Sequence, residues 1–214
     1  MEVINGIFSY IAEYPDVFAG LIVRHLQLVF SSSMIAILTG VILGIIAAKT
    51  KVLSKIILAV ANVIQSIPEL VMLALGIPLL GVGFVPTFTV LLLKAVLPVV
   101  MNTYVGIRDL DPSVLEAAKG IGMTEKQRLF RVELPLSAPA ILTGCRIALV
   151  RSVAIATLGS FIGGGGLGDW IQQGMTMYNY SIIFAGAIPV TLLALLLDVV
   201  SAKLIKHATP LGIR

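Results

Sequence analysis

The 214-residue chain is 58% hydrophobic and 12% charged, which excludes a soluble globular domain of ordinary composition and requires a bilayer. Its net charge of +4 is spread over segments that alternate with apolar runs, a pattern that orients a membrane protein and argues against a nucleic-acid partner. The single cysteine, Cys145, and the two distant histidines, His25 and His207, offer neither a disulfide framework nor a His/Cys metal cluster.

No basic region precedes a short apolar core at the N-terminus, so no cleaved signal peptide is expected and the first span must direct insertion. Residues 1–20 read as an interfacial helix, with Val3, Ile4, Ile7, Phe8 and Ile11 at helical spacing before Pro15. A transmembrane domain is expected over 21–208, with a tail at 209–214. Its first span, about 26–48, is free of charge until Lys49, Lys51 and Lys55, and Gly40 with Gly44 marks a possible close helix contact. The second span, about 56–76, contains Gln65, Ser66, Pro68 and Glu69, groups that a lipid-facing helix avoids. The third, about 84–101, contains Lys94.

Residues 102–135 form the central polar loop. Asp111 is the expected N-cap of a short helix, with Pro112 at its first position and Gly120 and Gly122 at its end. Thr124 and Gln127 have capping-box spacing, and Leu129, Phe130, Val132 and Leu134 supply an apolar side up to Pro135. Spacing alone fits either an ordinary pair of loop helices or a docking surface that another protein approaches closely over Glu116, Ala117 and Ala118.

The fourth span, about 136–162, contains Arg146, expected to snorkel, and Arg151. Gly163, Gly165 and Gly168 satisfy GxGxxG, but no strand precedes them, so a turn at the membrane edge with Trp170 as interfacial anchor is the better reading. The fifth span, about 181–202, ends at Lys203 and Lys206. Basic residues cluster on one side of five spans, which puts that side and the C-terminus in the cytoplasm and the N-terminus outside.

The segment Glu116-Ala-Ala, three residues, Gly122, nine residues, Val132, one residue, Leu134-Pro135 resembles the coupling loop of binding-protein-dependent ABC transporter permeases. Gln65-Ser-Ile-Pro-Glu69, Asn102-Thr-Tyr-Val-Gly-Ile107 and Phe161 to Asp169 resemble the osmoprotectant branch, which carries glycine betaine, carnitine, choline or related quaternary amines. Glu69 departs from the small residue expected there. The resemblance implies an all-α membrane protein of the methionine-permease type with five transmembrane helices. It implies ATPase coupling through Glu116, Ala117, Ala118, Gly122, Leu134 and Pro135. It also implies ATP and Mg on a separate ATPase subunit, a solute-binding protein or domain, a second permease copy or paralogue, and a bacterial or archaeal cytoplasmic membrane. Another small solute, such as an amino acid or an ergothioneine-like betaine, is the alternative within the class.

At 1.5 Å per residue, Glu69 and Arg151 lie roughly 20 and 18 Å from the cytoplasmic side and Lys94 roughly 12 Å from the outer side of a core of about 30 Å. Isolated charges at one depth must pair or border a wet path. A Glu69 to Lys94 pair that merely ties two spans together is one outcome. The other leaves Arg151 for a solute carboxylate, with Gln65, Asn102 and Tyr104 along the same path. A passive channel would share the buried charge but has no use for the coupling loop. No HExxH, Ser/His pair or well-spaced acid pair suggests an enzyme.

Overall fold

Proline and glycine set the element boundaries. In the computed structural model, which describes residues 2–208, α1 (Glu2–Glu13) stops before Pro15, and Pro15 opens α2 (Pro15–Lys49) in the first turn, where its missing N–H is tolerated. The N-terminal helix is thus shorter than 1–20, and the helix that holds the first span begins at residue 15, with Asp16, Arg24 and His25 inside it. The tail at 209–214 lies outside the described residues.

The second span is not continuous. α3 (Lys51–Ser66) and α4 (Glu69–Leu80) diverge by 98° because Ile67, the residue before Pro68, is held extended at φ −74°, ψ 125°. Pro78 lies inside α4, so the connection to α5 (Phe84–Arg108) is residues 81–83 alone. Lys51 and Lys55 share a cavity with Tyr104 and Arg108 at one end of the bundle, whereas the Gly83 N–H donates to Ile162 O at the other, 2.7 Å away. The broken pair therefore carries the chain from one end to the other.

The helical part of the central loop is α6 (Pro112–Gly120) and α7 (Glu125–Arg128). α7 runs on through a π turn at Leu129–Glu133 into α8 (Leu134–Gly159), followed by a 3-10 turn at Ser160–Ile162. Leu134 and Pro135 thus lie within a continuous helical run and do not close the hairpin. The Leu134 N–H bonds Leu129 O five residues back, so the ladder is already opened where Pro135 enters it. After α9 (Gly168–Thr176), α10 (Tyr180–Ala208) completes the fold. Among the described residues, four helical runs are long and apolar enough to cross a membrane, and α3 with α4 is a bent fifth candidate.

α2, α5 and α8 form the centre, burying Leu28, Val29, Val90, Leu91, Val153 and Ala156, with Leu73 of α4 against them. Close approach of α2 and α5 depends on the expected glycine pair. A Cβ at Gly40 would lie 2.7 Å from Val99 Cβ, and one at Gly44 would lie 2.5 Å from Thr103 Cβ. Arg146 does not snorkel: it forms a bidentate pair with Asp198 of α10, both contacts 2.7 Å. Nor is Trp170 an interfacial anchor. It is 3% exposed, with Tyr10 edge-on at 5.0 Å and Phe18 stacked at 5.3 Å, and α1 closes over it through Ile7.

Gly44→Val should force α2 and α5 apart and destabilise the folded chain by about 1–3 kcal/mol, the usual range for overpacking. Gly20→Val, where an added Cβ meets nothing within 4 Å, should cost far less. Thermal unfolding of the two variants in the same detergent compares them directly.

Candidate functional site

The break between α3 and α4 builds the first part of the site. Ending α3 at Ser66 strands carbonyls that a continuous helix would have satisfied, and inside a bilayer these need a donor. Lys94 supplies it. Its side chain is 3% exposed, and its ammonium donates to Ile67 O and, at 3.2 Å, to Gln65 O. The same ammonium faces the carboxylate of Glu69 at 3.8 Å. Glu69 stands in the first turn of α4 and Lys94 at the C-terminal end of α3, so each charge also matches the helix end beside it.

Glu69, Lys94 and Arg151 line one cavity of about 240 Å³, closed on the α8 side by Ala154, Ile155 and Leu158. The three charges expected in one layer thus line a single cavity. Lys94 is committed to carbonyls and to Glu69, whose side chain is 41% exposed. Arg151 is exposed and has no ion-pair partner among the described residues.

The remaining residues of the expected path lie elsewhere. Gln65 contributes its backbone carbonyl, while its Oε1 is buried without a hydrogen bond. Asn102 spends its amide on Pro98 O at 2.8 Å and packs against Gly144 at the α5–α8 contact. Tyr104 lines a different cavity with Lys51, Lys55 and Arg108, and ten residues along α5 separate it from Lys94 by about 15 Å. No aromatic face therefore accompanies Arg151 in this chain's cavity.

The second part is the hairpin of α6 and α7. Asp111 caps α6, accepting from the Ser113 N–H at 2.8 Å, and that donor holds its carboxyl below the usual carboxylate range. Thr124 and Gln127 form the reciprocal capping box, at 2.9 and 3.3 Å. Gly122 terminates α6 with φ +80°, and the Met123 N–H returns to Ala118 O at 3.1 Å. Space around Gly122 is open, so glycine is required there by backbone conformation and not by close approach. Glu116 and Ala117 are exposed but Ala118 faces inward at 5% exposure. The free apolar surface of the hairpin comes instead from Ile121 and Phe130, 75% and 65% exposed.

Behind the hairpin lies a residue that the sequence pattern treats as a spacer. Glu133, between Val132 and Leu134, is 1% exposed and receives both Lys49 Nζ at the end of α2 and, at 2.9 Å, Arg128 Nε of α7. An acid in the π turn thus fastens the hairpin to the first span. The signal was available as an acid directly before an apolar run, but its partners are distant or hidden among topogenic lysines.

A cavity lined by Glu69, Lys94 and Arg151, joined by packed helices to an exposed hairpin at one end, fits a transport subunit that crosses the membrane several times. The chain belongs to the family of binding-protein-dependent transport system inner membrane components, whose model matches residues 40–209. It is a permease subunit of an ABC importer, a non-enzymatic component whose ATPase is a separate subunit. It is 43% identical to the choline transport system permease protein OpuBB of Bacillus subtilis, covering 89% of this chain and 88% of that one. The osmoprotectant import permease protein OsmW of Salmonella typhimurium is 36% identical over 96% of this chain and 98% of its own length. Among solved structures, the MetNI methionine ABC transporter in an inward-facing conformation has the same fold, with a TM-score of 0.83 at 20% identity over 91% of this chain and 97% of that one.

Removing the Glu133 carboxylate leaves Lys49 and Arg128 without their acid in a largely buried place. Glu133→Ala should cost about 3 kcal/mol, the lower end for stripping one partner from a buried pair, since the Lys49 side chain is 35% exposed. Glu133→Gln, which keeps an acceptor, should lose less, and thermal unfolding of the two variants in detergent orders them.

Proposed function

We propose that this chain forms half of the membrane path of an importer for a quaternary-amine osmoprotectant such as glycine betaine, carnitine or choline. The observation that carries the reading is the cavity in which Lys94 is neutralised and Arg151 is not. An exposed guanidinium in a bilayer is costly unless it meets water or an anion, and a carboxylate passing through suits its planar fork. Relatives named for choline, for glycine betaine, carnitine and choline, and for carnitine, at 39–43% identity, support the solute class. The quaternary ammonium then meets the Glu69 carboxylate or a face from the other half, a second copy of this chain or a paralogue.

In this reading five spans, counting the broken pair as one, put the N-terminus outside and the C-terminus in the cytoplasm of a bacterial cytoplasmic membrane. Lys49, Lys51, Lys55, Arg108 and the cations of the hairpin gather at one end of the bundle, and the positive-inside rule supports this orientation. The hairpin, with Glu116, Ala117, Ile121, Gly122 and Phe130, docks a cytoplasmic ATPase that binds ATP and Mg. Glu133 passes its movement to α2 and α8. A solute-binding protein or domain delivers the solute from outside.

Arg151→Gln in the assembled transporter should impair uptake of glycine betaine at least tenfold while choline, which has no carboxylate, is affected much less; about 1.5–3 kcal/mol for a charged hydrogen bond sets the scale. Equal losses for both solutes in vesicles would return Arg151 to a structural role. Docking is tested separately with Ile121→Asp. The substituted chain should still insert and fold but bring down less ATPase, and normal ATPase recovery with normal uptake would remove the hairpin from the interface.

A further inference from the structure

The geometry points to a site for an anionic phospholipid in the groove between α2, α3 and α5, separate from the solute cavity. Two cavities share these three helices. One, of about 370 Å³, is lined by Lys49, Lys51, Lys55, Tyr104 and Arg108, and no carboxylate lines it. The other, of about 380 Å³, is lined by Leu43, Ile57, Ala61, Val96 and Val100 among other apolar groups. Thr39 is its polar lining residue, and the Thr39 hydroxyl is already committed to Ile35 O at 2.8 Å.

The order of the two cavities is the same on every helix. On α2 the chain passes from Lys49 back to Leu43, on α3 from Lys51 and Lys55 on to Ile57 and Ala61, and on α5 from Arg108 and Tyr104 back to Val100 and Val96. At 1.5 Å per residue the basic and apolar lining residues are separated by roughly 3–18 Å along the helix axes, the reach of a headgroup followed by the upper part of an acyl chain. Lys49 is engaged by Glu133, but Lys51, Lys55 and Arg108 are exposed and have no acid partner among the described residues. Basic pockets between helices recognise anionic headgroups, and Tyr104 and the Ser54 hydroxyl beside them add polar contacts. The apolar cavity offers water no partner, so hydrocarbon is its natural filling. A zwitterionic solute has no polar contact there, and an acidic protein surface would satisfy the cations but leave the apolar half empty. One amphiphile with a negative head satisfies both halves.

The test uses the whole transporter, purified in mild detergent and offered phosphatidylglycerol and phosphatidylcholine of equal chain length, with retained lipid read by native mass spectrometry. Phosphatidylglycerol should be retained in preference. Lys51→Gln/Lys55→Gln/Arg108→Gln should lower its retention at least about tenfold without reducing ATPase recovery. Ala61→Phe, which fills the apolar half, should lower retention with every cation in place, and Leu43→Phe serves the same purpose if that variant does not fold. Glycerol phosphate, a headgroup without chains, should not compete at millimolar concentration. Equal retention of the two lipids, no lipid retained at all, competition by glycerol phosphate, or loss of the ATPase from the triple variant would each overturn the assignment.

Discussion

Lys94 meets a helix that has come apart. Pro68 and the extended Ile67 end α3 in the middle of the bundle, and the ammonium of Lys94 takes the stranded carbonyls of Gln65 and Ile67 while facing Glu69. Each partner solves the other's difficulty: a buried cation without acceptors and unsatisfied carbonyls in hydrocarbon are both prohibitively costly, and together they are tolerated. The arrangement fixes where α4 departs from α3, holds both against α5, and gives the cavity one charged wall already balanced. Arg151 on α8 faces that balanced wall, so net positive charge in the cavity is concentrated on one side chain.

The two ends of the bundle are built by opposite means. Near the coupling hairpin, ionic groups dominate: Glu133 gathers Lys49 and Arg128 around a π turn. At the far end aromatic and glycine contacts prevail. Tyr10, Phe18 and Trp170 form one aromatic cluster, Arg24 lies 4.3 Å over the Phe84 ring, and its Nε donates to Gly164 O at 3.2 Å. Burial pushes the Asp169 carboxyl up, and nearby Arg24 opposes the shift. Between the ends, Gly40 and Gly44 let α2 lie directly on α5, so the helices that join the hairpin to the cavity are packed with little slack.

Features set by near neighbours in the chain were legible before the structure. Asp111, Pro112, Gly122 and the Thr124–Gln127 box all occupy their expected cap positions, because capping is decided within four residues. Depth was legible too: rise per residue was enough to bring Glu69, Lys94 and Arg151 to one cavity. What failed needed azimuth or partners. Tyr104 and Asn102 were expected on the path, but ten residues of helix carry Tyr104 to another level and Asn102 turns into the α8 contact. Asp198 passed unread inside an apolar span, although a mid-span acid demands a cation and Arg146 was available. The break at Ser66–Pro68 was visible as polar groups, yet nothing local says that the two halves will diverge by 98°.

Trp170 is the sole tryptophan of the chain, and it lies beneath α1 between Tyr10 and Phe18, lining neither the hairpin nor the Arg151 cavity. Ultraviolet emission from the unlabelled chain therefore has a single indole origin, at the seam where α1 crosses α9 and α10. Its colour and quenching register whether that seam is closed. Because no competing indole dilutes the signal, opening of the N-terminal cover during a transport cycle is optically separable from events at the opposite face without introducing any dye.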